Sequence, residues 1–202
     1  MRTWLIALNL LLAAAIVGAT FFWHPAPPPA LVLAPAPTGG DFELDGPQGP
    51  VALRDFRGKL VLVQFGYTYC PDICPTALME IAQAFAELTP DELARVQALF
   101  VSVDPERDDV ARLREYTAFF HPNILGLTGP LPRIREAAAR FGAVFSRQDD
   151  ASAGGYVIDH SALTYVIDAE GKLVAALPHA TPARLLAQEI RNHLPPPRKE
   201  TP

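Results

Sequence analysis

Only two cysteines occur in the 202-residue chain, Cys70 and Cys74, and both lie in one short segment, VQFGYTYCPDICPTALME (63–80). A proline follows each directly, Pro71 and Pro75. Two thiols so close together admit three chemistries: a small structural disulfide, a redox couple, or two of the three ligands of a metal site. Thiolates are soft and suit Cu(I) or Zn(II), and a single imidazole would complete a trigonal copper site. The five histidines are His24, His121, His160, His179 and His193. A closed structural zinc site needs four ligands, and only three obvious ones are present.

The elements that must carry these side chains follow from periodicity. Residues 41–45 and 51–53 form a small hairpin with Gly-Pro in its turn. LVLVQF (60–65) and VQALFVSV (96–103) are apolar, β-branched runs of the kind that become buried strands. Residues 75–88 carry Leu78, Ile81, Ala82, Phe85 and Leu88 at helical spacing. Residues 110–120 and 132–141 are further helices, 124–127 a short strand or loop, and 144–145 the start of an extended segment. A hairpin pairs 163–167 with 172–177, and 181–193 closes the chain as a helix with Thr181 as N-cap and Pro182 at its first position. The order β-β-β-α-β-α-α-β-β-β-α predicts an α/β, thioredoxin-like fold, a central mixed sheet flanked by helices.

In that fold the cysteine segment joins a buried strand to a helix. Pro75 suits the first helical position and places Cys74 at the N-cap, with Cys70 in the loop before it. Both sulfurs then lie near the positive end of a helix, which favours thiolate. Thioredoxin-type redox pairs have two intervening residues; here there are three, so the sulfurs can converge on an ion as readily as on each other. Asp72 between them makes a turn hydrogen bond or tunes their charge. His160, in YVIDHSALTY (156–165), falls in the loop leading into a core strand, against the start of the cysteine helix. A thioredoxin-type reductase carries a cis-proline there, and no proline occurs between residues 133 and 177. His160 is thus either a ligand aimed at the two sulfurs or a loop histidine. The other four read as structural or solvated.

Residues 1–24 contain an uncharged apolar run from Trp4 to Trp23, following Arg2. A helix of that length spans about 30 Å, the thickness of a bilayer core. We read it as an uncleaved transmembrane anchor with the N-terminus cytoplasmic and the remainder exported. A cleaved signal peptide is the competing reading, but Ala-Thr-Phe-Phe (19–22) is a poor cleavage site. Residues 25–38 are a proline-rich linker, 39–194 one domain, and 195–202 a disordered tail. Beyond residue 38 the chain carries 16 Lys+Arg against 22 Asp+Glu, which excludes nucleic acid as a partner. Export also raises the weight of a simple disulfide between Cys70 and Cys74.

FGYTYCPDICP (65–75), SVDPERDD (102–109), GLTG (126–129) and YVIDHSALTYVID (156–168) together resemble the Sco/SenC family, over roughly residues 40–193. The resemblance implies a thioredoxin-like fold and one copper ion, Cu(I) or Cu(II), held by Cys70, Cys74 and His160. It implies a membrane-anchored metallochaperone that delivers copper to, or prepares, the dinuclear copper centre of cytochrome c oxidase subunit II. Other copper chaperones or thiol-disulfide proteins would be further partners. Some members of that family act as thiol-disulfide oxidoreductases, for which Cys70 and Cys74 would be the redox-active pair. The implied location is a bacterial-type inner membrane, crossed once, with the domain on the periplasmic side. Asp104 and Asp108 form turns and helix caps beside the site or orient its ligands, and Asp159 either orients His160 or points away.

Overall fold

The computed structural model of the chain describes Trp4, residues 37–150 and residues 155–196. The expected anchor (apart from Trp4), nearly all of the linker, and the tail from residue 197 lie outside the described residues. Among the described residues no helix is long and apolar enough to cross a membrane.

Strand β3 (Leu60–Gly66) is the centre of the molecule, and all seven of its residues are buried. Its sequence, LVLVQFG, lacks the polar alternation of a half-exposed strand, as burial on both faces requires. β3 runs parallel to β4 (Val96–Ser102), and β4 parallel to β5 (Ile124–Leu127). On the other side β3 pairs antiparallel with β8 (Leu163–Ile167), which pairs antiparallel with β9 (Leu173–Pro178). The five-stranded order β5-β4-β3-β8-β9 is the expected mixed sheet. β1 (Glu43–Gly46) and β2 (Gly49–Ala52) form the small N-terminal hairpin.

Parallel neighbours need crossovers, and helices supply them. α1 (Ile73–Ala86) joins β3 to β4 through the short α2 (Pro90–Leu93); α3 (Val110–Phe120) joins β4 to β5. α4 (Leu131–Arg140) and α5 (Ala183–His193) complete the helices. α1 buries Cys74, Ala77, Leu78, Ile81, Ala84 and Phe85 along one side. Because β3 and β4 are parallel and in register to Gly66↔Ser102, the loops that follow them leave the same edge of the sheet side by side. In open sheets that edge is where ligands are bound.

Three local expectations are corrected. Cys74 is not the N-cap of its helix: α1 begins at Ile73 with Asp72 at the cap, so Cys74 lies in the first turn. Pro75 causes no loss there, because N–H groups of a first turn have no intrahelical partner and the residue four back, Pro71, is outside the helix. The last helix begins at Ala183, with Pro182 rather than Thr181 at the cap. The Thr181 hydroxyl donates to the Pro178 carbonyl, and the Ala183 N–H is taken instead by the Glu80 carboxylate of α1 at 2.8 Å. Finally, the segment leading to His160 is a strand rather than a loop. β7 (Gly155–His160) pairs antiparallel with β6 (Phe145–Asp150) in a two-stranded sheet of its own.

Candidate metal and thiol site

The sulfur end of the site is built by the β3–α1 connection. The N–H of Cys74 points at Cys70 Sγ, 3.4 Å away, so the first turn of α1 offers the sulfur a donor as well as its positive end. Cys74 is buried and Cys70 half-buried, and both are free thiols. Gly66 lets them sit this close to the sheet, since a Cβ there would lie 2.8 Å from Cys74 Sγ.

β7 brings the imidazole. Alternation along the strand turns Tyr156, Ile158 and His160 toward the domain and exposes Asp159. His160 Nε2 lies 3.3 Å from Cys74 Sγ, and one ligand atom from each of Cys70, Cys74 and His160 falls within 4.8 Å of the other two. His160 Nδ1 is 3.2 Å from the Ser161 carbonyl. A carbonyl only accepts, so Nδ1 carries a proton in this bond, and Nε2 is the ring nitrogen that faces the sulfurs. The ring of Tyr67 meets that of His160 edge-on, with centroids 5.9 Å apart. Asp159 points away and does not orient the ring.

The two thiols hold their protons very unequally. The hydrogen bond from the Cys74 thiol, helped by His160 and the backbone N–H groups of Asp72 and Cys74, brings Cys70 down to about 3 against the opposing effect of burial. The same hydrogen bond to Cys70, then burial, then the charge of Cys70, push Cys74 far up. The pair therefore keeps one proton between its sulfurs at neutral pH: a nucleophilic thiolate outside and a thiol inside.

The Asp72 carboxylate accepts from the Thr76 hydroxyl at 3.3 Å, and its carbonyl accepts from the Thr76 N–H at 3.1 Å. Asp108 does more than the sequence indicated. Fully buried, it accepts from the Thr68 N–H at 2.9 Å, from the Thr68 hydroxyl, and from the Ser102 hydroxyl at 2.7 Å. It thereby fixes the loop that carries Cys70, while Asp109 takes the cap of α3 by accepting from the Arg112 N–H. Asp104 binds Arg107 and accepts from the Tyr156 hydroxyl at 2.8 Å. Arg107, Tyr156 and Tyr67 were not singled out in the sequence. The other described histidines stay apart: His121 caps α3 and accepts from the Asn123 N–H, His193 meets Glu189, and His179 lines a small pocket with Gln64 and Glu80. His24 lies outside the described residues.

A mixed sheet with a dithiol at the start of its first crossover helix, faced by one imidazole, defines a thioredoxin-like domain adapted to hold a soft ion or exchange thiols. The SCO1/SenC family profile matches residues 32–195, and the chain belongs to that family. It is 37% identical over 157 residues to the mitochondrial SCO2 homolog of Mus musculus, a match covering 77% of this chain and 62% of that protein. The match thus spans about three-fifths of the length of such mitochondrial relatives. Its fold is similar to the solution structure of apo Sco1 from Thermus thermophilus (TM-score 0.71, 42% identity, covering 81% of this chain and 94% of that one). It is likewise similar to the crystal structure of Arabidopsis thaliana ScoI with copper bound (TM-score 0.72, 31% identity, covering 77% and 96%).

Proposed function

We propose that the protein is a membrane-anchored copper metallochaperone. Cys70, Cys74 and His160 hold one copper ion for delivery to the dinuclear centre of cytochrome c oxidase subunit II. The observation that carries this reading is the convergence of two sulfurs and one imidazole nitrogen within 4.8 Å. Two sulfurs suit Cu(I), and the nitrogen admits Cu(II) as well. The copper-bound Arabidopsis relative supports the choice of ion. Residues 1–24 would anchor the chain in a bacterial-type inner membrane, and residues 25–38 would give the periplasmic domain reach toward an oxidase or another copper chaperone. Tethering raises effective concentration at a membrane partner without further contacts.

The proton shared by the two sulfurs favours a second activity. With no copper bound, the Cys70 thiolate would attack a disulfide of the oxidase subunit or another exported protein, forming a mixed disulfide. Cys74 would then attack Cys70 Sγ, releasing the partner as a dithiol and leaving a Cys70–Cys74 disulfide.

One experiment separates the two. The reduced full chain in detergent receives one equivalent of copper, and uptake is followed by metal analysis and by the sulfur-to-Cu(II) absorption band. Stoichiometric Cu(II) binding that disappears in His160→Ala, with slow reduction of a disulfide-bonded subunit II domain, supports delivery. Rapid reduction that is indifferent to His160→Ala, with no copper uptake, refutes it in favour of the oxidoreductase.

A further inference from the structure

The segment SVDPERD (102–108) supplies no ligand, yet it touches both halves of the site. On the sulfur side, Asp108 holds Thr68, two residues before Cys70. On the imidazole side a brace is needed as well: among the described residues β7 lies outside the five-stranded sheet and pairs with β6. The chain rejoins the central sheet at β8, three residues after His160, and side chains supply the remaining link between β7 and the sulfur side. Tyr156 donates to Asp104 at 2.8 Å, and its carbonyl accepts from Arg107 Nη1 at 3.2 Å. The Arg107 guanidinium lies 3.6 Å from the centre of the Tyr156 ring and 4.7 Å from that of Tyr69, in the cysteine loop. Asp104 pairs with Arg107 Nε and is almost fully buried, so the clamp is shielded from water and salt. Two residues along, the Ile158 N–H donates to the Tyr67 hydroxyl at 3.3 Å. Two further residues along, on the same face, is His160.

We infer that Asp104, Arg107 and Tyr156 are positioning residues that hold the imidazole of His160 over the two sulfurs, and so decide whether the site accepts Cu(II) as well as Cu(I). The sulfurs are fixed separately, by α1 and Asp108. Loosening the clamp frees the nitrogen ligand and leaves the dithiol in place. Cu(I) is satisfied by thiolates, whereas Cu(II) requires the nitrogen. Partners of this kind that orient a metal-binding histidine are worth about tenfold or more in affinity. This inference rests on the copper reading for its metal arm alone.

The test uses the full chain in detergent, as wild type, Tyr156→Phe and Arg107→Lys, with His160→Ala as reference. Tyr156→Phe removes one oxygen, the donor to Asp104. Arg107→Lys removes the fork that reaches Asp104 and the Tyr156 carbonyl together. Cu(II) affinity is measured by titration of the absorption band and Cu(I) affinity by competition with bicinchoninate. Expected is a drop of about tenfold or more in Cu(II) affinity in both variants with Cu(I) affinity at the wild-type level. A general loss of folding would lower both affinities together, and that outcome, or no change in either, overturns the inference. In the copper-free chain, the nuclear Overhauser contact between the Tyr67 and His160 rings should weaken in Tyr156→Phe, and its persistence also overturns the inference. If wild type binds no copper while that contact is lost in the variants, the clamp stands and the copper reading falls. Should Arg107→Lys not fold, Tyr156→Phe, which leaves every buried charge paired, decides alone.

Discussion

Gly66→Ala is a small perturbation that reaches the sulfurs without replacing a ligand. A methyl at that position would lie 2.7 Å from Phe100 Cε2, 2.8 Å from Cys74 Sγ and 3.0 Å from Phe100 Cζ. Ordinary contacts begin near 3.5 Å, so the neighbours must yield by roughly 0.7 Å. Phe100 and Cys74 are both completely buried, and neither has solvent to move into. Overpacking of this kind costs about 1–3 kcal/mol. For a domain of this size each kcal/mol lowers Tm by about 2–4 °C, so thermal unfolding should move down by roughly 2–12 °C. Metal bond lengths tolerate only about 0.2 Å, so a displaced Cys74 Sγ should also weaken copper binding. Gly126→Ala is the matched control. Its methyl would lie 2.7 Å from Leu113 Cβ, between β5 and α3, and it should lower Tm while leaving copper uptake intact. Circular dichroism melts and copper titrations on both variants make the comparison. A Gly66→Ala chain that melts with wild type, or one that binds copper as well as Gly126→Ala, refutes the reasoning.

Two further outcomes follow from the same coordinates. With Cys70 held down to about 3, the copper-free reduced chain keeps a thiolate there throughout the range above that value. Its alkylation by iodoacetamide, read by peptide mass spectrometry, should be flat from about pH 5 to 8, where an ordinary thiol gains about tenfold per pH unit. Cys74, pushed far up, should stay slow throughout, and a Cys70 rate that climbs with pH contradicts the shared proton. Ala180, just before α5, has φ 59°, a left-handed conformation that costs a residue with a Cβ about 1–2 kcal/mol. Glycine removes that strain and loses about 0.5–1 kcal/mol through its freer unfolded chain, so Ala180→Gly should raise Tm slightly, and a fall would refute the strain.

Elements with their own periodicity were readable from the sequence. β3 announces itself as an unbroken apolar run, and α1 by its helical stripe, although the stripe buries Ala84 where Ala82 was expected. Cys70, Cys74 and His160 were each visible as chemistry, and the motifs around them joined them into one site. What escaped depends on partners far apart in the chain. β7 reads as a loop because its mate, FSRQDD, is polar and shows as extended only at its start. Arg107 carries no signal of its own in the sequence; only folding brings residues 69, 104 and 156 around it. The cap of α5 was misplaced for a similar reason. Thr181 has the right chemistry by position, but the Glu80 carboxylate reaches the same N–H from another helix.

The difference in depth between the two sulfurs imposes an order of events. Cys70 stands at the mouth and Cys74 lies at the floor, so an incoming thiol, disulfide or chelator meets the outer sulfur first. If the protein hands over copper as proposed, a receiver would meet Cys70 first and share the ion with Cys74 in an intermediate before the inner sulfur lets go.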